Sequence, residues 1–142
     1  MDYNALHQTY IDTTYWLYTH EQSFGICIGM RFPDFEAWLQ RAGIQAWAMV
    51  TAANPRSQEL SVEENEQRNV ELREFLQVQG FSNLYAAEGK PDQGEWQPRA
   101  GFFIPNISLA QALTVAALFE QNAIVFGSLD EATKVVWVNN LE

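Results

Sequence analysis

The sequence has little of the chemistry on which most catalytic and metal sites depend. It contains one cysteine, Cys27, and two histidines, His7 and His20, so it offers no zinc-ligand spacing and no internal disulfide. It also lacks the glycine-rich loops that bind dinucleotides or phosphates, the G-x-S-x-G serine motif and the H-E-x-x-H zinc motif. We therefore predict no metal site and no cofactor, and whether the protein is an enzyme stays open.

Positive charge is scarce as well. Eight Lys and Arg residues stand against 18 Asp and Glu residues, which gives a net charge of −10. Such a charge repels phosphate backbones, so nucleic-acid binding is not expected. No apolar run approaches the roughly 18 residues of a membrane span, and the N-terminus lacks the basic start and apolar run of a signal peptide. We expect a soluble, cytoplasmic protein that does not bind membranes, in which Cys27 is a small buried hydrophobe.

No linker, low-complexity tract or internal repeat divides the chain. At 142 residues and 47% hydrophobic composition it can bury a core, so residues 1–142 are predicted to form a single domain. Predicted strands alternate with predicted helices, which favours an α/β (or α+β) fold. We expect a single layered domain with a mixed sheet and about three helices covering it.

Hydrophobic periodicity and turn residues give the individual elements. Strands are predicted at 13–19, 24–30, 45–51, 82–87, 101–104, 123–126 and 134–138. Helices are predicted from Pro33 to Gly43, from Val62 to Gln79 and from Ser108 to Gln121, after a short opening segment that could be helical. The first two strands are expected to form a hairpin, and residues 88–98 a polar loop. The last helix is apolar nearly all round, so it is expected to be sandwiched between other elements.

The second of these helices carries the most informative pattern. Ser61 lies just before this helix and is predicted to form a capping box with Glu64. At 100° per residue, the apolar Leu72 and Leu76 fall within about 20° of Asn65, and Arg68 lies between about 40° and 80° to one side. Asn65 and Arg68 therefore share the core-facing stripe. Both need partners, because a buried charge without one costs several kcal/mol.

The segment Thr51–Ser57, which leads into this helix, is the nearest source of partners. It leaves a predicted strand, turns at Asn54-Pro55 and brings hydroxyls, an amide and a second guanidinium next to the helix N-terminus, where amides and dipole favour anions. We predict that a small ligand with a phosphate or carboxylate group binds in this strand-loop-helix crevice. The predicted ligand-binding residues are Thr51, Asn54, Arg56, Ser57, Asn65, Arg68 and Gln121.

A purely structural explanation of the same residues stays open. Asn54 and Asn65 could tie the loop to the helix, while Arg68 pairs with a carboxylate or with carbonyls at the strand end. As an enzyme, the protein would hold a phosphate with Arg56 and Arg68 and position water or substrate with Thr51, Ser57 or Asn65. No residue is evident as a general base, and catalytic residues stay unassigned.

A protein–protein interaction module, or a self-associating acidic domain without catalytic activity, is the alternative from another functional class. Surface aromatic residues would then engage a basic protein partner or a second copy of the chain. The candidates are Tyr15, Trp16, Tyr18, Trp96 and Trp137. Mimicry of nucleic acid is less favoured, because the acidic residues do not form a long block.

Two motifs carry a resemblance to a known family. Val50–Ser57 reads V-T-A-A-N-P-R-S and resembles a strand-end T-A-x-N-P-x-S signature, and Leu60–Arg68 resembles L-S-x-x-E-N-x-x-R. Both are similar to motifs of the Domain of Unknown Function 3293 family. Gly94-Glu95-Trp96 and Gln121–Val125 agree with its later segments, so the similarity spans nearly the whole chain. The resemblance implies one small domain found in bacteria, and it brings no assigned activity.

One position departs from that family. After the Gly-x-Trp element, the family tends to place an acid and then a serine, where this chain has Arg99 and Gly101. If the acid is a general acid or base elsewhere in the family, this chain lacks it, which favours a binding or structural role. Any pairing between that acid and Arg68 would be lost as well.

Overall fold

The computed structural model of the protein describes residues 3–93 and 98–138, which contain four α-helices and seven β-strands. The helices are α1 (Tyr3–Ile11), α2 (Pro33–Ala42), α3 (Val62–Val78) and α4 (Leu109–Leu118), and a 3₁₀ turn covers Pro55–Ser57. The strands are β1 (Thr13–Tyr18), β2 (Ser23–Ile26), β3 (Ala46–Val50), β4 (Tyr85–Pro91), β5 (Arg99–Pro105), β6 (Ala123–Ser128) and β7 (Lys134–Trp137). None of the helices in these ranges has the length and apolar character needed to cross a membrane.

All seven strands belong to one sheet in the order β2-β1-β4-β5-β3-β6-β7, and every neighbouring pair is antiparallel. The prediction of a mixed sheet was therefore wrong, and the fold is α+β. Alternation of strands and helices along the chain does not fix strand direction, because a helix can also connect strands that are not neighbours in the sheet. The predicted hairpin of β1 and β2 is confirmed, with Leu17 opposite Phe24.

The sheet curves into a half-barrel whose two edges approach each other. Just after β2, the Gly29 amide donates to the Thr133 carbonyl at 2.7 Å, and the Thr133 amide donates to the Met30 carbonyl at 3.4 Å. Thr133 immediately precedes β7, so these bonds connect the two ends of the strand order. The curvature gives the sheet a concave face and a convex face.

Each face carries its own hydrophobic core. Because side chains alternate along a strand, Trp47 and Met49 of β3 point to the concave face and Ala48 and Val50 to the convex face. Phe35, Trp38 and Leu39 of α2 pack into the concave core, and Tyr10 of α1 contacts the Trp137 ring edge-on at 5.9 Å. Leu72 and Leu76 of α3 and Ala112, Val115 and Ala116 of α4 pack into the convex core. Helices therefore lie on both faces, and the predicted layer of about three helices was wrong.

Several element predictions are confirmed and two are corrected. Both capping boxes form, at Ser61 for α3 and at Ser108 for α4. The loop predicted for residues 88–98 is wrong in its first part, because β4 continues to Pro91; residues 94–97 lie outside the described ranges. The helix α4 is not sandwiched, since Leu118 is 59% exposed. Many of its apolar residues are alanines, which are good helix formers whether or not they are buried.

Candidate functional site

The loop between β3 and α3 is fixed to the start of α3 by two asparagines. The Asn54 amide donates to Asn65 Oδ1 at 2.8 Å, and Asn65 Nδ2 donates to Asn54 Oδ1 at the same distance. Asn54 Oδ1 also accepts the Leu60 amide at 3.0 Å. Because these bonds close a ring of side chains and backbone, the loop has one defined path over the helix terminus.

A second set of bonds joins the start of the loop to β5. Thr51 Oγ1 donates to the Ala100 carbonyl and accepts the Ala53 amide at 3.0 Å. Asn69 of α3 accepts the Ala52 amide at 2.9 Å and donates to the same Ala100 carbonyl at 3.0 Å. Thr51 therefore serves the local backbone through both of its hydrogen-bonding functions.

Arg68 connects three parts of the chain. Its Nε donates to the Ala52 carbonyl and its Nη2 to the Phe119 carbonyl, both at 2.6 Å. Phe119 is the C-cap residue of α4, and the helix dipole favours a cation at this end of the helix. The side chain is 23% exposed, and its Nη1 faces Glu120 Oε1 at 3.6 Å. The guanidinium therefore lies at the bend before α3, as the helical periodicity predicts.

Arg56 faces the same carboxylate from the other side. Its Nε lies 3.8 Å from Glu120 Oε2, and its backbone amide donates to the Glu120 carbonyl at 2.7 Å. The side chains of Arg56 and Glu120 are 67% and 47% exposed. Both carboxylate distances exceed the 2.7 to 3.2 Å of a direct N–H···O hydrogen bond. Two guanidinium groups thus converge on one carboxylate at the surface without binding it tightly.

Backbone strain is concentrated at this place. Among the described residues, six residues other than glycine have positive φ, and four of them belong to this site. These four are Asn54, Arg56, Ser57 and Glu120. Asparagine tolerates the left-handed region, whereas other L-residues lose about 1 to 2 kcal/mol there. Such strain accumulates at functional sites more often than elsewhere, which makes it an argument for a role beyond packing.

The remaining predicted residues close the site from the side of α4. Gln121 Nε2 donates to the Ala53 carbonyl at 3.1 Å and to the Phe119 carbonyl at 3.2 Å. Asn122 Nδ2 donates to Ser57 Oγ at 2.9 Å. All seven residues predicted to bind a ligand therefore lie in one continuous network.

Sequence reasoning gave no place in this network to Asn69 or to Glu120. Asn69 follows Asn65 by one helical turn and lies on the same stripe, so the angular argument could have found it. No sequence pattern marked Glu120, because the left-handed position after a helix is usually occupied by glycine. Its position depends on the left-handed turn after α4, with φ of 60°.

The N-terminus of α3 is already occupied by the chain's own groups. Glu64 accepts the Ser61 amide at 3.1 Å, and this backbone hydrogen bond holds the pKa of the Glu64 carboxyl below its usual value. Beside Arg68, an open depression is lined by Leu60, Glu63, Glu64 and Gln67. The positive charge of the site therefore comes from the two arginines, and the helix amides contribute less than the sequence indicated.

The family model described as "Protein of unknown function (DUF3293)" matches residues 50–124, a span of 75 residues in a chain of 142. The chain belongs to this family. No curated protein and no solved structure matches it. The matched span of this DUF3293 protein contains α3, β4, β5, α4 and every residue of the network around Arg56 and Arg68.

The departure at residues 99 and 101 has a steric counterpart in this DUF3293 protein. A Cβ atom at Gly101 would lie 2.6 Å from the Val50 carbonyl oxygen and 2.9 Å from Thr51 Cβ, so a serine requires the end of β3 to move. Arg99 is exposed, and its charge acts on the hydroxyls of Tyr10 and Tyr15, which are partly buried. Burial raises the pKa of Tyr10 and of Tyr15, and the positive charge of Arg99 opposes that rise.

The other candidate groups lie elsewhere. Tyr15, Trp16, Tyr18 and Trp137 are all partly buried, and Trp96 lies outside the described residues. Cys27 is only partly buried, and its sulfur lies 3.8 Å from Thr14 Oγ1. Within residues 3–93 and 98–138, no three His, Cys, Asp or Glu side chains are grouped as metal ligands.

Proposed function

We propose that this domain binds a small ligand through a phosphate or carboxylate group at the surface between Arg56 and Arg68. The observation that carries this proposal is the convergence of both guanidinium groups on the Glu120 carboxylate at 3.6 and 3.8 Å. Planar guanidinium groups match the geometry of carboxylates and phosphates. Glu120 thus stands where the anionic group of a ligand would bind, and the ligand would displace it.

The rest of the network holds this surface in shape. Arg68 is fixed by the carbonyls of Ala52 and Phe119, so it is oriented before a ligand arrives. Arg56 is two-thirds exposed and free to turn toward a ligand. Asn54, Asn65 and Thr51 define the loop that carries Arg56, and Ser57 and Gln121 join this loop to the end of α4. These residues hold the loop in place, and the two arginines contact the ligand.

The proposal is a binding function, because the Glu120 carboxylate that faces both arginines is the group that the ligand would displace. We propose a cytoplasmic location as well, since a single free cysteine suits a reducing compartment.

The proposal is tested by the thermal response of the protein to inorganic phosphate and to succinate, each titrated to saturation. A ligand at 100 times its Kd stabilises the folded state by about 2.7 kcal/mol, which raises the melting temperature measurably. In Arg56→Gln this response should disappear. In Glu120→Gln it should increase, because the competing charge is removed.

Arg73→Gln is the matched control, since Arg73 is an exposed arginine elsewhere on α3 and the substitution changes net charge equally. It should leave the response unchanged. Equal responses of Arg56→Gln and Arg73→Gln would contradict the proposal. A weaker response in Glu120→Gln than in the native protein would contradict the idea that Glu120 competes with the ligand.

A further inference from the structure

The strand β2 ends the sheet, and its outer side is a free backbone edge. Its inner side pairs with β1, from Ser23 opposite Tyr18 to Ile26 opposite Tyr15. No strand within residues 3–93 and 98–138 pairs with the outer side. In an antiparallel pair, alternate residues direct their N–H and C=O groups away from the partner strand. Such an edge can bind the backbone of another extended chain.

A groove lies between this edge strand and the start of α2. One wall is residues 22–25, and the other is the start of α2, residues 32–35. Phe32 is half-buried against the concave core and Pro33 is exposed, so the second wall offers apolar surface. After β2, the backbones of Gly29 and Met30 bond to Thr133, so the free edge is limited to β2 itself. The four residues of β2 span about 13 Å at 3.3 Å per residue, which fits a short extended segment.

The charges around the groove favour a basic occupant. Glu36 forms an ion pair with Arg31 at 2.7 Å, and Glu21 forms one with Arg41 at 3.3 Å. The negative charge of each of these two acids is therefore neutralised by an arginine. Asp34 lies in the groove, is exposed, and forms no ion pair among the described residues. The chain as a whole has a net charge of −10. A second copy would bring the same negative charge to the edge, which disfavours pairing of two β2 strands.

We propose that an extended peptide segment with Lys or Arg side chains binds in this groove and adds to β2 as a further strand. Its backbone bonds to the free edge, its apolar side chains contact Phe32 and Pro33, and a basic side chain pairs with Asp34. This site shares no residue with the surface between Arg56 and Arg68, so either proposal can fail without the other.

The test uses the full chain labelled with ¹⁵N and an acetylated hexapeptide of alternating Lys and Val. Amide resonances of residues 22–26, of Phe32, and of Asp34 and Phe35 should shift on titration. Two further peptides carry N-methyl groups, one on every Lys and one on every Val. In strand addition only alternate peptide amides face the protein, so one of the two should lose binding and the other should keep it.

Asp34→Asn should weaken binding of the unmodified peptide about two- to fivefold, as expected for the loss of one exposed charge pair. Glu74→Gln removes one charge from the exposed side of α3 and should leave the affinity unchanged. Equal binding of both N-methylated peptides, or shifts confined to other parts of the chain, would overturn the proposal. Shifts of residues 22–26 that depend on protein concentration without peptide would also overturn it, since they assign the edge to a second copy.

Discussion

The pair Tyr18 and Glu88 shows how one contact couples the fold to pH. The Tyr18 hydroxyl donates to Glu88 Oε1 at 2.5 Å, and Lys90 Nζ lies 3.5 Å from the same oxygen. The hydrogen bond to the carboxylate, followed by burial and the carboxylate's charge, raises the pKa of Tyr18 to about 12. The phenol therefore stays protonated in the folded protein at pH values where an unfolded tyrosine ionises.

Since the pKa of Tyr18 is higher in the folded state, its contribution to stability is complete below pH 10 and is lost as pH rises toward 12. In Glu88→Gln the pKa of Tyr18 should return toward 10, and the loss of stability over this window should become smaller. Tyrosinate absorbance, recorded as the difference between each protein and its Tyr18→Phe variant, measures the pKa. An unchanged difference titration in Glu88→Gln would show that Glu88 does not control Tyr18.

Among the helices and strands, the sequence predicts those features that depend on residues close together in the chain. Periodicity and capping residues identify α3, its capping box at Ser61 and its polar stripe, because all of these are encoded within a few turns of one helix. The partners of Arg68 could not be predicted in the same way. They are backbone carbonyls of Ala52 and Phe119, and any residue type can present a carbonyl. The direction of the strands depends likewise on the path of the whole chain.

The pair Asn54 and Asn65 is expected to stabilise the loop that precedes α3. In Asn65→Ala, the Asn54 amide and side chain lose their partner in a half-buried place, which should lower the free energy of unfolding by about 1 to 3 kcal/mol. Urea denaturation measures this difference. Gln67→Ala is the control, because Gln67 is exposed on the same helix and its side chain donates to the exposed Glu71; we expect a change below about 0.5 kcal/mol. Equal losses in both variants would show that the loop does not depend on the pair.

At the scale of the whole molecule, the segment that defines the family is not a complete sheet. The match begins at residue 50, the last residue of β3, and ends at residue 124, early in β6. Yet β3 lies between β5 and β6 in the sheet. Without it, β5 and β6 have no strand between them, and the Trp47 ring, which stacks on Phe103 at 5.0 Å, is missing from the concave core.

We therefore expect a fragment of residues 50–124 to lack a cooperative thermal transition. The full chain should show one transition, because β1, β2 and β7 belong to the same sheet as the matched strands. Circular dichroism of the fragment and of the full chain, at equal concentration and pH, makes the comparison. Cooperative melting of the fragment would show that the matched segment is a folding unit by itself and that residues 1–49 are an addition to it.

The order of the strands also sets how far apart in sequence the bonded strands are. Tyr18 and Glu88, whose side chains form a hydrogen bond between β1 and β4, are 70 positions apart. A chain must close loops of this length before such pairs give any stabilisation, and proteins dominated by distant pairings fold in milliseconds to seconds. The β1–β2 hairpin can form within about 1 to 10 microseconds. The speed at which the molecule reaches its native state is therefore set by the search that brings β4 to β1 and β3 between β5 and β6.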